Sequence, residues 1–309
     1  MRVIAALGGN ALLKRDEAPT IDNQRRNARV AAQALAPVAR SHTLVVTHGS
    51  GPQVGRLALQ SATADPAETV PFDVLDAEAE GQIGYLIELE LRNALRDQPS
   101  CITVLTQIAV DPDDPAFDNP TKPIGPFCDA EEAERLERSN GWRFARIGES
   151  WRRVVASPRP LQILQIGGIE TLVAAGIVPI CAGGGGIPVM AGEDGAWSGV
   201  EAVIDKDLAS ALLARDLGAR ALLLLTDVDG VYVDWDTPDA RRFRRISPET
   251  LAGFPFAAGS MGPKVAAACD FVNETGGIAG IGLLGDAQAI LDGTAGTLIE
   301  PAAQTEYWD

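Results

Sequence analysis

The fold class follows from the stretch Thr43-Leu-Val-Val-Thr47, which runs directly into the glycine-rich turn His48-Gly-Ser-Gly-Pro52. A short apolar run rich in β-branched residues predicts a buried strand, and the glycines after it predict a turn at its carboxyl end. The same pattern recurs in the stretches 2–7, before Gly8-Gly9-Asn10, and 176–181, before Gly183 to Gly186. Strands of this form indicate a protein built around a buried sheet.

Further apolar runs continue the pattern, at residues 102–108, 221–227 and 278–284. Helical runs separate them, of which 22–40 has Ala and Val at helical spacing. Strands that alternate with helices are typical of α/β proteins with a parallel sheet. We therefore predict an α/β fold with a mainly parallel central sheet.

The composition is that of a globular protein with an acidic surface. Of 309 residues, 46% are apolar, and 26 basic residues against 42 acidic ones give a formal charge of −16. Contact with nucleic acid needs clustered Lys and Arg, so this balance argues against a nucleic-acid partner. A local phosphate pocket is still compatible with it. The length suits one large domain or two lobes.

The sequence predicts neither a membrane span nor a disulfide framework. It has no apolar run of about 18 residues, and its apolar start has no suitable signal-peptide cleavage site. The four cysteines are far apart and only two histidines occur, which predicts free thiols and no zinc site. These cysteines are Cys101, Cys128, Cys181 and Cys269. We expect a cytoplasmic protein.

One segment, at about 111–160, interrupts the alternation of strands and helices. It is rich in proline, contains Trp142 and Trp151, and includes an acidic helical stretch at 130–138. We interpret it as an excursion from the main sheet that forms a small subdomain or lid. A long structural loop is the alternative.

Glycine clusters follow three of the predicted strands, at Gly8-Gly9, at Gly49 and Gly51, and at Gly183 to Gly186. In an open parallel sheet, ligands bind outside the carboxyl ends of the strands. Glycine there lets backbone N–H groups approach an anion closely. A single cluster is more simply a turn, but three clusters favour a phosphate or carboxylate pocket.

The common nucleotide fingerprints are missing or misplaced. The sequence contains no P-loop motif, and Gly280-Ile-Gly-Leu-Leu-Gly285 lies inside a predicted strand with no acidic residue at ribose distance. We interpret that stretch as a strand with its terminal turn. His48 has no visible nucleophile or orienting partner, so a structural histidine at a strand end is the better interpretation.

Lysine is rare, with four residues among the 26 basic ones, and three of the four stand in unusual places. Lys206 and Lys264 fall in the first turns of predicted helices, where a cation opposes the helix dipole by roughly 0.3–1 kcal/mol. Lys122 lies between prolines that stiffen its backbone. Each alone is compatible with a solvated surface residue, but together they favour a clamp for phosphate.

Three aspartates lie beside these features. Asp207, next to Lys206, either orients ammonium groups or only satisfies the helix dipole. Asp227 and Asp229 follow an apolar strand in a turn suited to border a nucleotide. The Asp-x-Asp-Gly pattern also begins calcium loops, but Pro238 stands where such a loop requires Glu, so we exclude calcium.

Together these motifs resemble those of the amino acid kinase family, and most closely its carbamate kinases. The matching stretches run in order over residues 1–300, at 6–12, 48–55, 82–85, 114–117, 119–127, 152–155, 183–189, 201–210, 226–232 and 259–265. The most specific is Asn119-Pro-Thr-Lys-Pro-Ile-Gly-Pro126, because the wider family lacks it.

This resemblance implies an open three-layer α/β/α sandwich, usually a homodimer, with a small protruding subdomain. Residues 1–200 would form the N-terminal lobe that holds carbamate or carbamoyl phosphate, with the subdomain at about 111–160. Residues 201–309 would form the nucleotide-binding lobe for ATP or ADP with Mg²⁺.

The resemblance also implies roles for individual residues. The catalytic positions are Lys122, Lys206, Asp207 and Lys264. The positions that bind the substrate and the phosphoryl group are Gly8, Gly9, Asn10, Gly49, Ser50, Gly51, Gly184 and Gly185. The nucleotide-binding positions are Thr226, Asp227, Tyr232, Met261 and Lys264. No protein residue is assigned as a metal ligand.

The chain departs from the family pattern at three positions. Ser50 stands where these enzymes usually have Asn, Cys128 where they usually have Tyr, and Ala156 where they often have Pro. Ser50 matters most, because its loop is expected to face the transferred phosphoryl group and serine has less reach than an amide.

We therefore expect reversible phosphoryl transfer between MgATP and carbamate. The alternatives are another acyl-phosphate-forming kinase, such as one acting on acetylglutamate, and a nucleotide sensor without catalysis. The sequence pattern of the acetylglutamate enzymes has a Lys just before the first Gly-Gly, where this chain has Ala6-Leu7.

Overall fold

The computed structural model describes residues 1–13, 17–64, 70–96, 98–256 and 261–309, with the side chains of residues 10, 11 and 64 left out. The strands are β1 (Arg2–Leu7), β2 (Thr43–His48), β3 (Cys101–Thr103), β4 (Gln107–Val110), β5 (Lys122–Cys128), β6 (Arg143–Ile147), β7 (Ser150–Val155), β8 (Pro160–Ile163), β9 (Val178–Ile180), β10 (Ile187–Ala191), β11 (Trp197–Gly199), β12 (Ala221–Thr226), β13 (Tyr232–Val233), β14 (Arg241–Ile246), β15 (Ile278–Leu283), β16 (Thr297–Ile299) and β17 (Glu306–Tyr307). The helices are α1 (Gly9–Leu12), α2 (Ile21–Ser41), α3 (Gly51–Ala64), α4 (Phe72–Leu95), α5 (Ala130–Asn140), α6 (Ile166–Ala174), α7 (Lys206–Asp216), α8 (Pro248–Leu251), α9 (Met261–Thr275) and α10 (Ala287–Leu291).

The main sheet has ten strands, nine of them in the order β13-β14-β16-β15-β12-β1-β2-β9-β3, with β17 paired to β14. Its centre is parallel: β1 pairs with β12 and β2, β12 with β15, and β9 with β2 and β3. Antiparallel pairs occur only toward the β13 end, among the strands described. The predicted mainly parallel α/β sheet is confirmed.

Side-chain alternation along β1 produces the three layers. Val3, Ala5 and Leu7 pack into a core with α2 and α4, whereas Ile4 and Ala6 pack into a second core with α7 and α9. Successive residues of a strand point to opposite faces of the sheet. A strand that is apolar at every position is therefore covered by helices on both sides.

The predicted strand at 102–108 is wrong in one respect, because the structure divides it into two strands. β3 lies at the edge of the main sheet, whereas β4 belongs to a second sheet of order β11-β10-β4-β8. Thr106 lies between them, and its backbone N–H donates to the Glu80 carboxylate at 3.1 Å. A tertiary hydrogen bond therefore holds the chain at the point where it passes from one sheet to the other.

The proline-rich excursion contains a third, separate sheet. Strands β5, β7 and β6 form an antiparallel unit, and α5 packs against it. Asp129 caps α5 by accepting from the Glu132 N–H at 2.9 Å, and Gly141 ends the helix with a φ of 68°. We call strands β5 to β7 with α5 the subdomain. The boundaries of the two lobes remain a prediction.

The stretch Gly280 to Gly285 forms β15 and the turn after it, as predicted. A Cβ built on Gly280 would lie 2.4 Å from Ile290 in α10. These glycines therefore allow a helix to approach the sheet closely. None of the helices in the described ranges is both long enough and apolar enough to span a bilayer.

Candidate active site

The glycine-rich turns meet at the carboxyl ends of neighbouring strands in the main sheet. β1, β2 and β9 are adjacent parallel strands, so their carboxyl ends lie side by side. A Cβ built on Gly49 would lie 2.9 Å from the Gly9 amide nitrogen and 3.1 Å from Cδ of Lys206. A Cβ on Gly185 would lie 2.3 Å from the carbonyl oxygen of Ile204, just before α7. The structure thus brings these predicted residues together with the start of α7.

Two further glycines border the same place. Gly8 donates its N–H to the Leu225 carbonyl at 2.8 Å, and a Cβ on it would lie 3.6 Å from Cα of Thr226. A Cβ on Gly184 would lie 2.3 Å from Oγ of Ser50. Gly51 opens α3 and has no neighbour within 4 Å of a built Cβ. The side chain of Asn10, another predicted substrate-binding residue, lies outside the part of the chain that the structure describes.

One carboxylate holds two of the predicted lysines. Asp207, in the first turn of α7, accepts from Lys206 Nζ at 2.8 Å through Oδ1 and from Lys264 Nζ at 3.0 Å through Oδ2. Lys264 lies in the first turns of α9, which packs against α7. The side chain of Asp207 is 4% exposed. This arrangement supports the orienting role predicted for Asp207 over the simpler role in the helix dipole.

The third lysine reaches the same helix from the subdomain. Lys122, the first residue of β5, forms an ion pair with Oδ2 of Asp205. Asp205 is the N-cap of α7, and its Oδ1 accepts from the Asp207 N–H at 2.9 Å. Three ammonium groups therefore surround two carboxylates, which leaves a net positive charge suited to a phosphate.

Burial and charge together shift the pKa values of this cluster. Burial acts to raise the pKa of Asp207, but attraction from Lys206 and Lys264 outweighs it and holds that pKa well below its usual range. Burial and repulsion from Lys206 lower the pKa of Lys264 to about 8. For Lys206, attraction to Asp207 and Asp205 outweighs burial and raises the pKa. Lys264 is therefore the lysine of this cluster that loses its proton first as the pH rises above about 8.

The predicted nucleotide-binding residues lie at the β12 edge of this region. Thr226 ends β12, and its Oγ1 donates to Asp227 at 3.0 Å. Tyr232, on β13, donates to Asp229 at 2.9 Å and lies edge-on to Trp235 with ring centroids 4.9 Å apart. Met261 is the first described residue of α9, three positions before Lys264. Within the described residues, no hydrogen bond joins Tyr232 to the lysines.

Sequence reasoning missed two carboxylates behind the glycine turns. Glu80 of α4 accepts from the Gly183 N–H at 2.8 Å and from the Thr106 N–H at 3.1 Å. Burial raises its pKa to about 8 against the effect of these two donors. Asp76, one turn earlier, is 2% exposed, and burial and repulsion from Glu80 raise its pKa. The signal in the sequence that could have identified them is the presence of these two acidic residues on the otherwise apolar face of α4.

His48 is fully buried against Gly183, with Nδ1 3.4 Å from the Gly49 carbonyl oxygen. Burial lowers its pKa to about 4, so the ring is neutral near pH 7. The structure therefore supports the structural role predicted for it. Oγ of Ser50 is also buried and has no hydrogen-bond partner among the described residues.

Within the described ranges, no group of three or more His, Cys, Asp or Glu side chains is arranged to hold a metal ion. Both oxygens of Asp207 already accept from lysines.

Comparison with known proteins identifies close relatives over nearly the full length. The sequence profile described as "Amino acid kinase family" matches residues 1–281. The chain is 52% identical to a carbamate kinase of Rhizobium meliloti, over 100% of this chain and 96% of the relative. It is 50% identical to a carbamate kinase of Haemophilus influenzae, over 97% and 96% of the two chains.

A solved structure is likewise similar to this chain over nearly its full length. The carbamate kinase of Giardia lamblia bound to AMP-PNP superposes with a TM-score of 0.87 at 40% identity. The match covers 97% of this chain and 98% of that one.

Proposed function

Since the chain belongs to the amino acid kinase family, we propose that it is a carbamate kinase, which transfers a phosphoryl group reversibly between MgATP and carbamate. The observation that carries this proposal is the pair of ammonium groups that Asp207 holds, with Lys122 from the subdomain close by. These groups lie at the strand ends where the glycine turns meet. The identity to carbamate kinases over nearly the full chain length supports carbamate as the substrate.

The chemistry requires alignment and charge stabilisation more than proton transfer. Carbamate is already an anionic oxygen nucleophile, so no general base is needed. In-line transfer spreads negative charge over the equatorial oxygens of the phosphoryl group, and fixed cations stabilise that charge. Lys206 and Lys264 stabilise the nucleotide phosphates and the transferring group, and Lys122 stabilises the bridging charge from the substrate side. Asp207 keeps the first two in place.

The glycine turns form the carbamate side of this site. The proposed donors to the substrate are the backbone N–H groups of Gly9, Gly51 and Gly184, with Ser50 and Asn10 as polar neighbours. Gly8, Gly49 and Gly185 line the same site, but their N–H groups donate to backbone carbonyls of the fold. The close approach of Gly49 to Gly9 and Lys206, and of Gly184 to Ser50, supports this assignment. Glu80 supports it indirectly, because its carboxylate fixes the Gly183 N–H from behind the turn.

ATP or ADP binds the C-terminal part of the site, beside Thr226, Asp227, Tyr232, Met261 and Lys264. The AMP-PNP bound to the Giardia lamblia relative supports a nucleotide ligand. Mg²⁺ enters on the nucleotide phosphates as part of the substrate, because Asp207 is already occupied by lysines.

The cytoplasm is the proposed compartment and a homodimer the proposed assembly. None of the four cysteines, all of which lie in the described residues, forms a disulfide, and three of them are buried. This suits a reducing compartment. An exposed apolar patch at the β3 edge supports a second copy of the chain as partner: Tyr85 is 55%, Ile102 40% and Leu105 50% exposed.

The deciding experiment follows ATP formation from MgADP and carbamoyl phosphate, with acetyl phosphate as the control donor. We expect ATP from carbamoyl phosphate and far less from acetyl phosphate. Lys206→Ala should lower kcat by about 10²- to 10³-fold or more, because it removes a cation aimed at the transferring group. Failure with both donors despite measurable ADP binding would leave a nucleotide sensor as the better description.

A further inference from the structure

The two carboxylate oxygens of Asp205 face two different parts of the molecule. Oδ1 accepts from the N–H groups of Asp207 at 2.9 Å and Leu208 at 3.3 Å, which caps α7. Oδ2 pairs with Nζ of Lys122. The side chain of Asp205 is 13% exposed and that of Lys122 is 25% exposed. Asp205 therefore joins the start of α7 to the start of β5.

The base of the subdomain touches the segment before α7 at a second point. Lys122 lies opposite Val155 in the pairing of β5 with β7. The next residue, Ala156, accepts a backbone hydrogen bond from Val203 at 3.0 Å. The pairing with Val155 and the backbone bond of Ala156 fix the backbone at the start of β5, whereas the ion pair with Asp205 fixes the side chain of Lys122. The location of the Lys122 ammonium thus depends on Asp205.

The charge state of Asp205 suits this contact. Burial and repulsion from Asp207 act to raise its pKa, but attraction from Lys122 and Lys206, together with the hydrogen bond from Lys122, lowers the pKa below its usual value. The carboxylate is therefore ionised near neutral pH, and the Lys122 contact is a charge-assisted hydrogen bond.

We propose that Asp205 is a positioning residue, which holds the Lys122 ammonium in place beside Lys206 and Asp207 for phosphoryl transfer. This inference rests on the proposed function. The three consecutive residues Asp205-Lys206-Asp207 then organise all three ammonium groups of the site. A misplacement of about 1 Å in a reacting arrangement costs up to about 10²-fold in rate. Loss of this contact therefore lowers turnover, although Asp205 itself need not touch the substrate.

Asp205→Asn tests the proposal, because Asn caps a helix as well as Asp does but carries no charge for Lys122. We expect kcat to fall by about 10- to 100-fold while KM for MgADP stays near the wild-type value. The double variant with Lys122→Met should be no slower than Lys122→Met alone, because both changes remove the same interaction. Hydrogen exchange without substrate should quicken in 122–128 and stay unchanged in 206–216.

Asp270→Asn is the matched control. It breaks the exposed pair between Arg159 and Asp270, whose atoms are 3.2 Å apart, and should leave kcat unchanged. Wild-type kcat in Asp205→Asn, multiplicative loss in the double variant, or unchanged exchange in 122–128 would each overturn the proposal. Absence of turnover in the wild-type enzyme would instead overturn the proposed function, and hydrogen exchange would still decide whether Asp205 holds β5.

Discussion

At the scale of single residues, the site depends on lysines that are buried before any ligand arrives. Lys206 and Lys264 are 12% and 13% exposed, and both share Asp207. One carboxylate neutralises only one of two ammonium charges, and burial increases the free-energy cost of the remaining positive charge. The lowered pKa of Lys264 reflects this cost. A phosphate removes it, so the cluster is complementary to its ligand and unfavourable without one.

Proton uptake on nucleotide binding should follow from Lys264. Its pKa in the free protein is about 8, against 10.5 for an ordinary lysine. At about pH 9 the free protein holds this amine mostly neutral, whereas bound phosphates favour the charged form and raise its pKa. We therefore expect uptake of close to one proton, measured by calorimetry in buffers of different ionisation enthalpy. Uptake should disappear in Lys264→Arg, and its persistence there would exclude Lys264 as the source.

At the scale of secondary-structure elements, the turn at 183–186 is shaped by packing from several sides. Gly184, Gly185 and Gly186 have φ values of 72°, 109° and 83°, which side chains rarely adopt. Glu80 holds the turn from α4, and Ile204 contacts it from the segment before α7. We therefore expect a displacement of this turn to shift Asp205 and the lysines, which follow Ile204 in the chain.

Gly185→Ala should test this coupling against Gly195→Ala. Both glycines have positive φ, but a Cβ on Gly185 would lie 2.3 Å from the Ile204 carbonyl oxygen, whereas Gly195 has no neighbour within 4 Å. We expect Gly195→Ala to cost about 1–2 kcal/mol of stability with activity retained. Gly185→Ala should cost about 1–3 kcal/mol more and lower kcat/KM at least about tenfold. Denaturant unfolding and initial rates measure the two effects, and equal behaviour of both variants would refute the coupling.

At the scale of the whole molecule, the main sheet leaves β3 as an edge strand. An unprotected edge is a template for association. α4 packs directly on β3, since a Cβ on Gly84 would lie 2.3 Å from the side chain of Thr103. Tyr85, Ile102 and Leu105 are exposed beside this contact.

Ile102→Glu should therefore convert the proposed dimer into a monomer, because a charge buried in an apolar interface stays unpaired. Light scattering after gel filtration gives the mass of each variant. Ile147→Glu, at an exposed position 38% accessible near the β6–β7 turn of the subdomain, is the matched control and should remain dimeric. A dimer that persists in Ile102→Glu would show that the interface lies elsewhere.

Much of this protein was predictable from sequence, because the deciding effects are local. Short apolar runs predicted strands close to β1, β2, β9, β12 and β15. Helical spacing predicted 22–40, observed as α2, and the acidic stretch from 130, observed as α5. The glycine turns and the unusual lysines were recognisable because glycine and a first-turn cation have known local costs.

Tertiary structure alone decided which of these features meet. Lys264 and Asp207 are 57 residues apart, and Lys122 and Asp205 are 83 apart, so their pairing depends on strand order and on the packing of α9 and the subdomain. The same holds for Glu80 behind Gly183 and for the division of 102–108 into β3 and β4. Residue type and spacing determine local conformation and available chemistry, whereas contacts between distant segments arise only when the chain packs as a whole.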